Sequence, residues 1–226
     1  MRKIITFVVM VFSVVALLSP IMAQEQSAIK ADDALSLLKE GNARFVEMKL
    51  QHPNQSIAAR ENTAADGQKP FAIVLACSDS RVPVELIFDR GIGDIFVIRV
   101  AGNIAVDSSV IGSVEYAAEH LHVPLLLVMG HTQCGAVEAA VTGAQVEGDI
   151  RDIQEKIESV ASKVRKGHPG LRGAALSNEV VKSNALQSKK DILSKSEEIR
   201  RLVSEGKLKI AAAVYDIKSG SLEWIE

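Results

Sequence analysis

The chain has 226 residues, and its 26 basic and 28 acidic side chains give a formal net charge of −2 at pH 7. This balance argues against the basic surface with which proteins bind nucleic acids or anionic membranes, and an aromatic content of 4% offers few rings to stack on bases. With 47% hydrophobic residues the chain can bury one ordinary core, so we expect one globular domain.

Residues 1–23 have the layout of a cleaved export signal. Arg2 and Lys3 provide a positive start, and residues 4–18 are apolar apart from Thr6 and Ser13. A retained membrane anchor is the alternative, but this run is shorter than the roughly 20 residues of a spanning helix. We therefore predict cleavage near Ala23, export of residues 24–226 to the periplasm or the cell exterior, and no stable membrane anchor afterwards.

The first part of the exported chain is predicted to be helical. Apolar residues recur at helical spacing over residues 31–50, so this segment predicts an amphipathic amino-terminal helix. The Gly41-Asn42 pair within it indicates a bend or a close packing contact. Residues 51–69 are polar and contain Pro53 and Gly67, which is typical of a surface connector.

The rest of the chain alternates between strand and helix patterns. Short apolar runs predict buried strands at residues 71–76, 95–100, 125–129 and 208–217, with a closing strand at 222–225. Helical patterns lie between them, at residues 83–88, 107–121, 150–164 and 179–205. The residues at 182–207 are rich in charge, which indicates a solvated helix face. This alternation predicts one α/β domain with a mainly parallel central β-sheet flanked by helices.

Polar side chains cluster where three of the predicted strands end. They are Cys77, Asp79 and Arg81 after the first strand, Arg99 and Asn103 around the end of the second, and His131 and Cys134 after the third. The carboxyl ends of parallel strands converge on one crevice, so we expect these groups to share a site. Arg99 and Asn103 are expected to fix loop geometry. Glu115, on the helix before the third strand, is expected to support the fold or a dimer.

The two cysteines of the chain allow two interpretations. In an exported protein a pair of cysteines commonly forms a disulfide, which would describe a non-catalytic binding or structural domain. Two thiolates and an imidazole also form a normal zinc site, and three protein ligands with an open fourth position are the catalytic pattern. The metal interpretation is favoured because a disulfide leaves His131, Asp79 and Arg81 without a shared purpose.

Four motifs identify a family that the chain resembles: CSDSR at 77–81, RVAGN at 99–103, SVEYA at 113–117 and GHTQCG at 130–135. Together they resemble the β-class carbonic anhydrases, and the likeness runs from about Ala31 to the end of the chain. The resemblance implies one zinc ion per chain, bound by Cys77, His131 and Cys134. It also implies reversible hydration of carbon dioxide to bicarbonate and a proton by attack of zinc-bound hydroxide, in a homodimer or dimer of dimers whose amino-terminal helix embraces its neighbour.

The same resemblance assigns roles around the metal. Asp79 and Arg81 match the family's catalytic dyad, in which the arginine keeps the aspartate off the zinc, whereas Gln68 and Gly135 match positions that contact substrate. Self-inhibiting members carry a tryptophan three residues before the first cysteine, where this chain has Val74. We therefore expect the open arrangement. A related zinc hydrolase acting on carbon disulfide or carbonyl sulfide remains an alternative.

The predicted ligand set leads to a pH dependence. Two thiolates cancel the formal charge of Zn²⁺, whereas three neutral histidines leave it at +2, so bound water should be less acidic here than in a three-histidine site. We predict that the rate of carbon dioxide hydration rises toward alkaline pH, as stopped-flow measurements across mildly acidic to alkaline buffers would reveal. A flat profile over that range would contradict this charge argument.

Overall fold

The computed structural model describes residues 29–225, so the predicted export signal lies outside the described residues. A five-stranded sheet in the order β2-β1-β3-β4-β5 forms the centre. Its first four strands are parallel, and β5 runs antiparallel to β4. The bounds are Ala72–Ala76 for β1, Ile95–Arg99 for β2, Leu125–His131 for β3, Lys209–Tyr215 for β4 and Leu222–Ile225 for β5. The predicted α/β fold class is confirmed.

Helices cover both faces of this sheet. They are α1 (Ala31–Val46), α2 (Ile57–Asp66), α3 (Val84–Ile87), α4 (Ser108–Glu115), α5 (Gly135–Thr142), α6 (Ile150–Gly167), α7 (Gly173–Lys195) and α8 (Glu197–Ser204). A 3₁₀ turn at Ala101–Asn103 follows β2, and a π-helical turn at Tyr116–His120 extends α4. Across residues 29–225, every helix is too short or too polar to cross a bilayer.

Three helical features differ from the sequence prediction. The expected connector at 51–69 contains α2, none of whose residues is buried and whose first turn is capped by the Ser56 side chain. Helix α5 follows the GHTQCG motif directly, where no helix was predicted. The single helix expected at 179–205 is instead two helices, because the Ser196 side chain accepts a hydrogen bond from Ile199 N and begins α8.

The core lies on both sides of β1 and β3, whose residues are all buried. On one side, Leu38 of α1 and Ile87 of α3 pack with strand residues such as Leu127. On the other side, Val114 of α4 and Ile192 of α7 lie against the opposite face. The charged stretch 182–207 therefore has an inner apolar face as well as the solvated face predicted for it.

The Gly41-Asn42 pair lies within a continuous α1 and makes a close packing contact. A Cβ at Gly41 would lie 1.8 Å from the Phe88 carbonyl oxygen, so only glycine allows this approach. The neighbouring Asn42 side chain donates to the carbonyl oxygens of Ile87 and Gly220 at 3.3 and 2.8 Å and accepts from Leu222 N at 3.2 Å. These bonds attach α1 to α3 and to the turn before β5.

We predict that Gly41→Ala lowers the free energy of unfolding by roughly 3 kcal/mol, because the added methyl forces α1 away from the α3 backbone. Chemical denaturation of the folded protein measures this. The matched control is Gly112→Ala in α4, where a Cβ meets nothing within 4 Å and the helix should be unchanged or slightly stabilised. Equal stabilities for the two variants would show that the contact tolerates a side chain.

Candidate metal centre

The pairing of β1 with β3 brings the predicted ligands together. Ala76 pairs with Met129, so Cys77 lies just beyond the end of β1 while β3 continues to His131. Cys134 follows as the residue that precedes α5. One donor atom from each of Cys77, His131 and Cys134 lies within 4.8 Å of the others, and all three residues are buried. The juxtaposition expected from the sequence is therefore present in the fold.

The histidine offers a free nitrogen to a metal. His131 Nδ1 lies 2.9 Å from the Thr132 carbonyl oxygen, which can only accept, so this nitrogen carries the hydrogen. In the neutral ring Nε2 then has a lone pair, and this atom is buried without a hydrogen-bond partner. A buried acceptor of this kind is normally satisfied, so the unpaired Nε2 fits a metal ligand.

The cysteines present a thiolate to the same position. Cys77 and Cys134 are free rather than joined in a disulfide. The Cys134 thiol makes the largest contribution to lowering the pKa of Cys77 to about 4, and Gly102 N also donates to Cys77 Sγ at 3.3 Å. The same interaction with Cys77, together with burial, raises the pKa of Cys134. Two sulfurs and an imidazole are a donor set that suits zinc.

Asp79 and Arg81 form a closed pair beside these donors. Arg81 donates to Asp79 Oδ1 from Nε and from its backbone N, both at 2.9 Å, and to Oδ2 from Nη2 at 2.7 Å. These bonds hold the pKa of Asp79 well below its usual range. Asp79 Oδ2 also lies 3.9 Å from His131 Nε2. The carboxylate thus adjoins the donor set while its two oxygens face Arg81.

The loop that carries these residues is braced from the neighbouring strand. Arg99 Nε donates to the Cys77 carbonyl oxygen at 3.0 Å, and its Nη2 donates to the Asp79 carbonyl oxygen at 2.5 Å. The turn after β2 contains Gly102 and Asn103, with φ of 68° and 46°, a region open to glycine and tolerated by asparagine. The geometry agrees with the loop-fixing role expected of Arg99.

The two predicted substrate residues lie in different places. Gly135 begins α5 beside Cys134 and is exposed, and a Cβ there would meet open space. Gln68 is exposed and precedes β1, whereas Cys77 follows it. The strand between them alone spans roughly 13 Å at 3.3 Å per residue. Within one chain, Gln68 therefore lies at the opposite end of β1 from the metal donors.

A sizeable cavity lies away from this site. A volume of about 710 Å³ lies where α1 begins, near the starts of β3 and β4, and is lined by residues that include Lys30, His122 and Arg201. The donor cluster lies at the other end of the parallel strands. It is a tight set of buried side chains, which suits an ion and a small substrate better than a large ligand.

Several residues that position the site were not apparent from the sequence. Gly102 contributes a backbone N–H to Cys77 Sγ, and its own carbonyl oxygen accepts from Asn184 Nδ2 of α7 at 2.7 Å. Arg81 Nη2 also donates to the Gln133 carbonyl oxygen at 3.1 Å, which ties the loop after β1 to the loop after β3. Backbone partners leave no sequence signal, although the glycine of the RVAGN motif is compatible with the left-handed turn found there.

Comparisons with known proteins place this arrangement in a family. A family model described as carbonic anhydrase matches residues 72–222. Carbonic anhydrase 2 of Mycobacterium tuberculosis is 41% identical over 191 residues, which cover 83% of this chain and 89% of that protein. The carbonic anhydrase of Mycolicibacterium smegmatis is 36% identical over 194 residues, or 84% of this chain and 91% of that protein.

Solved structures agree with the sequence comparisons. The β-carbonic anhydrase CafA of Aspergillus fumigatus superimposes with a TM-score of 0.69 at 27% identity, covering 86% of this chain and 90% of its own. A tetrameric β-carbonic anhydrase of Sordaria macrospora shares the fold, with a TM-score of 0.69 at 24% identity over 75% of this chain and 87% of its own. The motifs, the fold and these relatives lead to one conclusion: the chain belongs to the β-carbonic anhydrase family.

Proposed function

We propose that this carbonic anhydrase hydrates carbon dioxide to bicarbonate and a proton with one zinc ion held by Cys77, His131 and Cys134. The observation that carries the proposal is the buried, unpaired His131 Nε2 beside two free cysteine sulfurs. Zinc bound there supplies Lewis-acid chemistry that makes water nucleophilic near neutral pH. Cysteine binds zinc as the thiolate, so zinc affinity should fall as the pH is lowered.

Asp79 and Arg81 would orient the nucleophilic water. Because Arg81 holds both oxygens of Asp79, the carboxylate stays ionised and is kept from joining the donor set as a fourth ligand. An ionised Asp79 can accept a hydrogen bond from water next to His131 and so direct the lone pair of that water at carbon dioxide. The Arg81 contacts support the open, uninhibited arrangement expected from Val74.

Gly135 and Gln68 are proposed to contact substrate from two directions. The Gly135 backbone N–H lies at the start of α5 with no side chain to shield it, which suits a bicarbonate oxygen. Gln68 precedes β1, whereas the donors of the same chain lie beyond the other end of this strand. Its role therefore requires a neighbouring copy whose donors lie close to Gln68.

That requirement favours the proposed homodimer or dimer of dimers. Strand β2 lies at one edge of the sheet, where it can contact a second copy. Large apolar side chains of Ile57, Leu86 and Ile92 are exposed, and subunit contacts commonly cover such groups. The Sordaria macrospora proteins are tetrameric, which supports an oligomer here.

We also propose that the enzyme acts outside the cytoplasm. The support is the sequence of residues 1–23, with its positive start, apolar run and small residue at Ala23. Amino-terminal sequencing of the exported protein should find Gln24 at or near its start. A protein that keeps residues 1–23 and remains in the cytoplasm would contradict the proposal.

The zinc mechanism is tested on protein purified without added metal. We expect about one zinc per chain, two free thiols after denaturation with a chelator, and rapid carbon dioxide hydration by stopped flow. A Cys77–Cys134 disulfide in active protein would overturn the proposal. Zinc-loaded protein that turns over carbon disulfide or carbonyl sulfide but hydrates carbon dioxide slowly would identify the related hydrolase instead.

A further inference from the structure

Thr132, the residue after His131, is attached to the end of β4 by its backbone N–H and by its hydroxyl. Thr132 N donates to the Tyr215 carbonyl oxygen at 2.9 Å, which continues the pairing of β3 with β4 beyond His131. The Thr132 hydroxyl accepts from Ile217 N at 3.1 Å and donates to Asp216 Oδ2 at 3.3 Å. Three bonds thus fix Thr132, the residue whose carbonyl oxygen accepts from His131 Nδ1.

The Asp216 carboxylate, which accepts from the Thr132 hydroxyl, is itself held by hydrogen bonds from Ser219. Asp216 Oδ1 accepts from Ser219 N at 2.7 Å and from Ser219 Oγ at 2.8 Å, within a turn where Gly220 N donates to the Asp216 carbonyl oxygen at 2.8 Å. Asn42 of α1 donates to the carbonyl oxygen of Gly220 at 2.8 Å. The turn is therefore anchored at both ends and can serve as a rigid support.

From these contacts we propose that Thr132 and Asp216 are positioning residues for the metal ligand His131. The Thr132–Gln133 peptide has to point its carbonyl oxygen back at the ring, and Gln133 takes a left-handed φ of 57° that side chains adopt rarely. Arg81 donates to the Gln133 carbonyl oxygen, and the hydroxyl of Thr132 bonds Asp216 and so fixes Thr132 itself. Together they fix which nitrogen of His131 carries hydrogen and where the other points.

Loss of the hydroxyl should therefore weaken metal binding while leaving the fold in place. In known metal sites, the groups that orient a ligating histidine change metal affinity by about 10–100-fold when removed. Val has the same branched shape as Thr and keeps the backbone bond to Tyr215, whereas Ser keeps the hydroxyl. Comparing these two substitutions isolates the hydroxyl bond to Asp216 and Ile217 from the packing of the side chain.

The test measures zinc affinity by chelator competition on the exported protein, with circular dichroism of the zinc-loaded forms as a check on folding. We expect Thr132→Val to bind zinc about 10–100-fold more weakly than the wild type and Thr132→Ser to stay within about threefold of it. Thr142→Val is the matched control, because the Thr142 hydroxyl bonds only the Glu138 carbonyl oxygen within α5. Its affinity should not change.

The outcomes separate this inference from the proposed function on which it rests. Wild-type protein that binds no zinc would refute the zinc site itself. A folded Thr132→Val variant that binds zinc as tightly as Thr142→Val would refute the positioning role and leave the zinc site intact. If Thr132→Val does not fold, Asp216→Ala decides by the same criterion, since it removes the acceptor of the Thr132 hydroxyl.

Discussion

His131→Ala should reduce carbon dioxide hydration by at least about 1,000-fold, because it removes the only nitrogen donor of the cluster and with it the metal. His131 is fully buried in the floor of the site, and its Nε2 has no other partner. The two sulfurs that remain cannot fill three positions around zinc. Stopped-flow hydration and zinc content should therefore fall together.

The control for this variant is His168→Ala, in the exposed segment after α6. It also removes an imidazole, but one that is exposed and outside the donor cluster, so activity and zinc content should match the wild type. Addition of free imidazole should restore part of the activity of His131→Ala, because the cavity left behind can admit the lost ring. Full hydration activity in His131→Ala without imidazole would exclude the proposed ligand set.

Asp79→Asn should lower kcat/KM for carbon dioxide by about 100-fold and leave zinc content unchanged. The amide keeps the shape of the carboxylate but has a single acceptor oxygen, and Arg81 occupies both oxygens of Asp79 in the wild type. Water beside His131 then loses the charged acceptor that orients it. The two readouts distinguish a residue that directs the nucleophile from one that binds the metal.

The matched control is Asp66→Asn at the exposed end of α2, which should behave as wild type. Arg81→Gln gives a second measure of the pair. Without the guanidinium the pKa of Asp79 rises toward its ordinary value, so activity should fall more steeply as the pH is lowered than it does in the wild type. Zinc loss in Asp79→Asn would instead assign Asp79 to the ligand set.

The elements that carry the site were predictable because their patterns are strong. Strands β1 and β3 are short apolar runs that break into polar residues, and the structure buries every residue of both. Parallel order then brings their carboxyl ends together. The missed helices lack such a signal: α2 has no buried face, and α5 is short and built largely of small residues. Periodicity detects a helix by its apolar stripe, so these two were invisible to it.

The contacts that support the site were out of reach for a different reason. Gly102 donates through its backbone N–H, and Thr132 accepts from a backbone N–H, groups that nearly every residue offers and no motif distinguishes. The break at Ser196 depends on one side-chain cap, while the charged pattern continues across it. Tertiary packing determines these contacts and this helix break, and local composition does not.

The donors come from two loops that only the pairing of β1 with β3 brings together. An ion shared by Cys77 and Cys134 would thus act as a cross-link that closes the 58 residues from Cys77 to Cys134 into a ring, as a disulfide between distant positions does. Separation of β1 from β3 and release of the metal would then occur together. The rate at which a chelator removes the metal would then report how often β1 and β3 separate.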